Sequence, residues 1–209
     1  MVECVVMAII AYLIGSINFS VILSKKIAGF DVREKGSGNA GTTNMLRSVG
    51  KKAAAITLVC DVLKGVVAIL IAMLIAKTVQ GSNGALLVQV AGIAVILGHT
   101  FPVFFKFKGG KGVATSLGVL IMSNWQIGLI CLVFALILIA LTQMVSVGSI
   151  AAAILYPVLT LFIPQNYIVP GNYLIYSIIL AIFIVFNHRE NVKRLLNGNE
   201  NKISLKGTK

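Results

Sequence analysis

Apolar runs of bilayer-crossing length recur along this sequence, and they constrain its fold more than any other feature. A backbone inside hydrocarbon has to satisfy its own N–H and C=O groups, so such runs fold as helices. Hydrophobic residues make up 58% of the chain and charged residues only 11%, with a mean hydropathy of +0.97, which places it in a membrane. The expected fold is all-α, a polytopic bundle of seven transmembrane helices in one membrane domain over 1–209. The spans are expected near 4–24, 53–76, 86–98, 113–122, 127–141, 147–163 and 173–187.

Charge then orients the bundle. The net charge of +12 is carried by short loops between apolar runs, where Lys and Arg set topology and meet anionic headgroups, so no nucleic-acid partner is expected. Lys25, Lys26, Arg33, Lys35, Arg47, Lys51 and Lys52 crowd one segment against Asp31 and Glu34, which marks it as cytoplasmic. The tail with Arg189, Lys193, Arg194, Lys202, Lys206 and Lys209 reads the same way. From Val113 to Phe186 no basic residue occurs, and polar breaks fall at Ser123–Gln126, Thr142–Val147 and Pro164–Asn172. Four crossings there return the chain to the cytoplasmic side and three do not, giving an N-terminus outside and a C-terminus inside. The first apolar run follows Glu3 rather than a basic region and precedes no cleavage site, so it is expected to remain as a span. Ser16 and Ser20 share a helical face within it and suit helix packing. Cys4, Cys60 and Cys131 lie inside apolar runs at no metal-like spacing, so neither a disulfide nor a metal site is expected.

Against this background three polar segments stand out. The first, Gly36 to Arg47, reads GSGNAGTTNMLR. Gly36, Gly38 and Gly41 let backbone N–H groups turn to one side as an anion nest, and Arg47 offers a forked cation. Ser37, Asn39, Thr42, Thr43 and Asn44 add hydroxyls and amides suited to phosphate oxygens or a substrate hydroxyl. The plainer alternative is a cytoplasmic loop with a helix N-cap at Thr42 or Thr43. The second segment, Gly98 to Thr115, reads GHTFPVFFKFKGGKGVAT and surrounds Gly109, Gly110 and Gly112 with Lys106, Lys108 and Lys111. It lacks the GxxxxGK[ST] pattern, so nucleotide binding is not supported. The third, from His188, reads HRENVKRLLNGNENK and sets His188, Asn191 and Arg194 at helical spacing. Ser146, in the break near 143–149, is expected at the same membrane face. Asp61 and Lys64 share a face with Thr57 inside the second span, where they form either a structural ion pair or the support of a polar pocket.

These three segments in this order, with GSINFS from Gly15, are similar to the acyl-phosphate-dependent glycerol-3-phosphate acyltransferases of bacterial membranes, and the resemblance spans nearly the whole chain. It implies transfer of a fatty acyl group from a long-chain acyl phosphate to the 1-position of glycerol 3-phosphate, giving lysophosphatidic acid and phosphate in phospholipid biosynthesis, without a cofactor. It implies a plasma-membrane enzyme working at the cytoplasmic face among membrane lipids, with the soluble enzyme that makes acyl phosphate as a candidate partner. Ser37 and His188 are the catalytic candidates. Gly38, Asn39, Gly41, Thr43, Asn44, Arg47, Lys108, Gly109, Gly110, Lys111, Ser146 and Asn191 are the candidates for substrate binding.

The residues are compatible with that chemistry. Two phosphate-bearing substrates match two glycine nests and a surplus of cations. The pattern of His, four residues and Asp is absent, because His99 leads to Phe104 and His188 to Lys193, so no His–Asp base is in view. The donor's phosphate is then expected to take the hydroxyl proton. An anion transporter is the rival reading, but its polar groups belong near the midplane, whereas these gather at one face. A scaffold without catalysis would not need three such segments.

Overall fold

The structure is a computed structural model that describes residues 1–163 and 168–203. Part of the Pro164–Asn172 break, and Lys206 and Lys209 of the basic tail, fall outside these residues. Among the described residues ten α-helices follow one another: α1 (Val2–Gly15), α2 (Phe19–Ala28), α3 (Thr42–Ser48), α4 (Lys51–Thr78), α5 (Gly84–Thr100), α6 (Val113–Ser123), α7 (Trp125–Thr142), α8 (Val145–Phe162), α9 (Leu174–Asn187) and α10 (Arg189–Leu196). No strand occurs among the described residues. Five helical stretches are long and apolar enough to cross a bilayer: Val2–Ala28, α4, Gly84–Phe105, α7 and α8. A sixth results if α9 and α10, bent by 60°, count together. The protein is thus an all-helical, multi-pass membrane protein. Helix α6 has 11 residues; at 1.5 Å per residue it rises about half the hydrocarbon thickness.

The chain forms two compact units, one running from Met1 to Asn124 and joined by a short segment ending at Gly171, the other built from α7 to α10 and the chain that follows. In the first, glycines set how closely helices approach. A side chain at Gly15 would strike the Val95 carbonyl and one at Gly98 the Tyr12 carbonyl, so α1 and α5 pack backbone to backbone. Gly65 meets Thr115 and Gly118 meets Val62 in the same way between α4 and α6. Lipid offers no hydrophobic drive for helix association, so close van der Waals approach of this kind carries it. The outward faces remain apolar, as Ile9, Leu63, Leu70, Leu136 and Ile182 show.

The first expected span is two helices. α1 ends at Gly15, and Asn18 starts α2 by accepting the Val21 N–H at 3.2 Å. Ser16 and Ser20 therefore do not share one helical face. The Ser16 hydroxyl takes the Val103 N–H at 3.3 Å and the Ser20 hydroxyl donates to Asn18 Oδ1 at 2.8 Å. A break within a span leaves carbonyls to satisfy, and Lys64 does so, its Nζ donating to the Gly15 and Ile17 carbonyls at 3.1 and 3.2 Å. Asp61 Oδ1 sits 2.9 Å from that ammonium and 3.6 Å from His99 Nδ1. All three side chains are at most 5% exposed. Asp61 and Lys64 are thus an ion pair that holds the broken span.

In the second unit α7, α8 and α9 pack in sequence order, and α8 carries Pro157 within its helix. His188 closes α9 and opens α10, so the bend between them falls on a candidate residue.

A side chain at Gly98 is expected to part α1 from α5. Gly98→Leu should destabilise the protein by about 3 kcal/mol or more, the upper range for overpacking. A melting curve in detergent indistinguishable from the parent would refute this close approach.

Candidate active site

The first glycine segment is a loop wound around Asn44. Gly36 and Gly38 take φ of 58° and 71°, in the left-handed region that glycine favours, whereas Gly41 is extended and serves as the N-cap position of α3. Asn44 is 1% exposed. Its Nδ2 donates to the carbonyls of Val32, Lys35 and Asn39 at 2.8, 3.0 and 3.0 Å, and its Oδ1 accepts the Ser37 N–H at 2.9 Å. A side chain at Gly36 would collide with that same Oδ1. The Asn44 amide therefore shapes the loop from within and presents Ser37 and Gly38 at the surface, where both are exposed. Asn39 and Thr43 are half-buried, and Arg47, one turn into α3, is exposed.

The second glycine segment folds against the first. Gly109 and Gly110 donate to the Thr100 and His99 carbonyls at 3.0 and 3.1 Å. A side chain at Gly109 would strike the His99 carbonyl, and one at Gly110 would strike the His99 ring and sit 2.6 Å from the Ala40 carbonyl of the first loop. These glycines are required for close approach, so His99 supports the loop. Lys106 and Phe107 take φ of 57° and 58°, unusual for residues with side chains. Gly112 is left-handed at 88° and precedes α6. Lys108 is exposed and Lys111 half-buried.

Between the two loops lies a cleft of about 410 Å³ lined by Asp31, Arg33, Glu34, Gly38, Lys106, Lys108 and Gly109. Of the residues named as catalytic or substrate-binding candidates, Gly38, Lys108 and Gly109 line it together with Lys106 of the same basic segment, while Ser37 and Arg47 lie outside this lining. Arg33 is the residue that spacing missed. Its Nε and one terminal nitrogen donate to the Asp31 carboxylate at 2.9 and 2.7 Å, and the other terminal nitrogen donates to the Phe105 and Lys108 carbonyls at 2.8 and 2.9 Å. The hydrogen bonds from the Arg33 side chain, with its backbone N–H and charge and the charge of Lys25 adding to them, pull the Asp31 carboxyl down to about 2 against the opposing effect of burial.

The second unit gathers the third segment. His188 is 4% exposed, and its Nδ1 lies 2.8 Å from the Ile184 carbonyl. In the neutral ring that contact makes Nδ1 the protonated nitrogen and Nε2 the one with the lone pair. Ser146 and Asn191 converge on Glu200: the Ser146 hydroxyl donates at 2.9 Å, the Asn191 amide at 2.7 Å and Arg194 Nε at 2.9 Å. Burial pushes the Glu200 carboxyl upward, but these three donors outweigh it and hold the group below its ordinary value. Glu200 lies within the third polar segment, but its spacing there does not mark it as the point on which Asn191, Arg194 and the distant Ser146 converge.

Most of the chain matches known proteins. Residues 5–198 fit the family model described as glycerol-3-phosphate acyltransferase. The chain belongs to that family. It is 47% identical over 202 residues to the glycerol-3-phosphate acyltransferase of Thermoanaerobacter pseudethanolicus, covering 97% of this chain and 96% of that one. It is 44% identical to that of Clostridioides difficile over the same shares. Its fold matches a crystal structure of PlsY, an integral membrane glycerol 3-phosphate acyltransferase, in the glycerol 3-phosphate form, with a TM-score of 0.84, 37% identity and 96% of each chain covered. The lysophosphatidic acid form of PlsY matches with a TM-score of 0.82 and 35% identity over 96% of this chain and 95% of that one. The family membership makes this chain a membrane acyltransferase.

The Asp31–Arg33 pair has a testable dependence on acid. A carboxyl lowered in the folded state adds stability above its unfolded value of 3.8, and that stability is lost as pH falls toward about 2. The stability difference between the parent and Asp31→Asn should therefore be constant above pH of about 5 and shrink below pH of about 4. A gap unchanged down to pH of about 2 in denaturant titrations would show that the carboxylate charge is not what Arg33 holds.

Proposed function

We propose that this glycerol-3-phosphate acyltransferase takes its acyl group from a long-chain acyl phosphate and releases lysophosphatidic acid and inorganic phosphate. The observation that carries the reading is the cleft between two glycine loops. It brings the ammonium groups of Lys106 and Lys108 together beside Gly38 and Gly109, and paired cations of this kind suit a phosphate. The 1-hydroxyl of glycerol 3-phosphate attacks the acyl carbonyl carbon and forms the ester C–O bond. The bond between that carbon and the phosphate-bridging oxygen breaks, and the leaving phosphate keeps the bond's electrons and takes the hydroxyl proton. No carboxylate base and no covalent enzyme intermediate are needed.

On this reading Ser37 polarises the reacting groups, and His188 positions the acceptor hydroxyl or its phosphate. Asn39, Thr43, Lys108 and Lys111 hold phosphate oxygens, with Arg47 as a bidentate clamp, while Gly38, Gly41, Gly109 and Gly110, whose N–H groups bond main-chain carbonyls, give the loops the shape that brings substrate close. Asn44, Ser146 and Asn191 act through the segments they brace, since their side chains bond to the protein itself. Both substrates meet at the cytoplasmic face of a plasma membrane, the acyl donor arriving from lipid and supplied by a soluble enzyme. The chain crosses seven times as one membrane domain, with α6 and α9 among the crossings, its N-terminus outside and its C-terminus inside. The loop charge asymmetry of the sequence supports that orientation.

The decisive assay offers purified enzyme either acyl phosphate or acyl-coenzyme A with glycerol 3-phosphate. Turnover is expected with acyl phosphate alone, because a thioester brings neither a phosphate for the loops nor an oxygen to take the proton. Ser37→Ala, Lys108→Ala, His188→Ala and Arg47→Lys should each lower turnover at least about tenfold in folded protein, or ~1.4 kcal/mol of transition-state stabilisation. Efficient use of the thioester, or full activity in the Ser37→Ala and His188→Ala variants, would refute the mechanism.

Orientation has its own test. Single cysteines at Ser82, Ser146 and Ser204 on a cysteine-free background should be labelled by an impermeant reagent from outside at Ser82 only. External labelling at Ser204 would invert the topology.

A further inference from the structure

The loop that carries Lys108 is poorly suited to hold itself. Lys106 and Phe107 are consecutive residues with side chains in the left-handed region, where each is disfavoured by about 1 kcal/mol or more. Such a conformation persists only when its surroundings impose it. Within the loop, Phe107 N–H bonds the Pro102 carbonyl at 3.0 Å and Lys108 N–H bonds the Phe105 carbonyl at 3.3 Å. Gly109 and Gly110 tie its far end to the Thr100 and His99 carbonyls, and a further constraint comes from residue 33. One guanidinium nitrogen of Arg33 reaches the carbonyls on both sides of the left-handed pair, Phe105 and Lys108. The opposite edge of the same guanidinium is fixed by both oxygens of Asp31, and Asp31 itself caps the short helical turn at Val32–Glu34 by accepting the Arg33 N–H at 3.1 Å. Planarity matters here: the fork holds a carboxylate on one edge and two carbonyls on the other, which an ammonium cannot do.

We infer that Arg33 is a positioning residue of this enzyme, a clamp aimed by Asp31 that fixes the backbone on either side of Lys106 and Phe107 and so sets where Lys108 presents its ammonium. The inference rests on the reading of that loop as a phosphate site, and it adds a function for a residue that touches the loop's backbone rather than substrate. Two alternatives predict different behaviour. An Arg33 that bound phosphate directly would contribute independently of Lys108. An Arg33 that only stabilised the fold would loosen the whole unit when replaced.

The test is a double-mutant cycle on the full-length enzyme, assayed by phosphate release, with amide exchange measured on the same variants. Arg33→Met should lower kcat/KM about tenfold or more in the parent but less than about twofold in Lys108→Ala, because a clamp has nothing left to aim once the ammonium is gone. Arg33→Lys should behave as Arg33→Met. Exchange at Phe107, Lys108 and Gly109 should quicken about tenfold in Arg33→Met, while the amides of α4 keep their protection. Additive losses in the cycle, rescue by Arg33→Lys, unchanged loop exchange or exchange quickened throughout α4 would each overturn the clamp. Native turnover in Lys108→Ala would instead overturn the reading of the loop as a phosphate site, and with it the catalytic consequence of the clamp; the loop exchange would still report whether the clamp exists.

Discussion

A helix that stops within a membrane span exposes carbonyl groups that lipid cannot satisfy, and much of the first unit depends on how this one is satisfied. The Lys64 ammonium takes the Gly15 and Ile17 carbonyls. An unpaired ammonium at that depth would be costly, so the Lys requires Asp61. Asp61 in turn faces His99, whose backbone carbonyl receives the Gly110 N–H and whose ring leaves room for no side chain at Gly110. A helix break near the start of the chain is thus connected, contact by contact, to the second glycine loop. Removing either charge alone leaves its partner buried without compensation, a much larger loss than the pair's net contribution.

What the sequence made legible follows from how local each signal is. Apolar runs and the Asp61–Lys64 pair at three-residue spacing are short-range patterns, and the structure has apolar helices, helix ends at Ser123 and Thr142, and an ion pair between those two side chains. Positive φ at Gly36, Gly38 and Gly112 follows from what glycine alone tolerates. The division of α1 from α2 was hidden because its decisive partner, Lys64, lies almost fifty positions away. Arg33 was read only as loop charge for the same reason, since the carbonyls it bonds are 72 and 75 positions distant. Glu200 is a third case, drawing Ser146 from 54 positions away. Asn44 shows a different limit: its spacing announced an amide beside a glycine loop, but the side chain could face outward to a ligand or inward to the backbone. Three inward bonds settle its direction.

The distribution of carboxylates bears on the chemistry. The chain has six. Asp31 is held by Arg33 and Lys25, Asp61 by Lys64, and Glu200 by Arg194 with two neutral donors. Glu3 pairs with the N-terminal ammonium, and Glu34 and Glu190 are exposed. The buried carboxylates therefore act as anchors for cations that shape the backbone. A general base needs the opposite environment, one that raises its pKa toward the working pH; Asp31 and Glu200 are both pushed downward.

That leaves the proton of the acceptor hydroxyl to be placed. His188 turns its Nδ1 toward the Ile184 carbonyl, a contact that orients the ring and leaves the lone pair of the neutral tautomer at Nε2; a neutral main-chain carbonyl stabilises an imidazolium less than a carboxylate would. A leaving phosphate, by contrast, gains basicity as its bond to the acyl carbon lengthens, and it does so next to the hydroxyl that is losing its proton. Cationic loops that fix such a phosphate perform recognition and proton acceptance with one group. On the proposed mechanism this is why the chain carries two glycine loops and a surplus of lysines, and why its few carboxylates are free to serve the architecture.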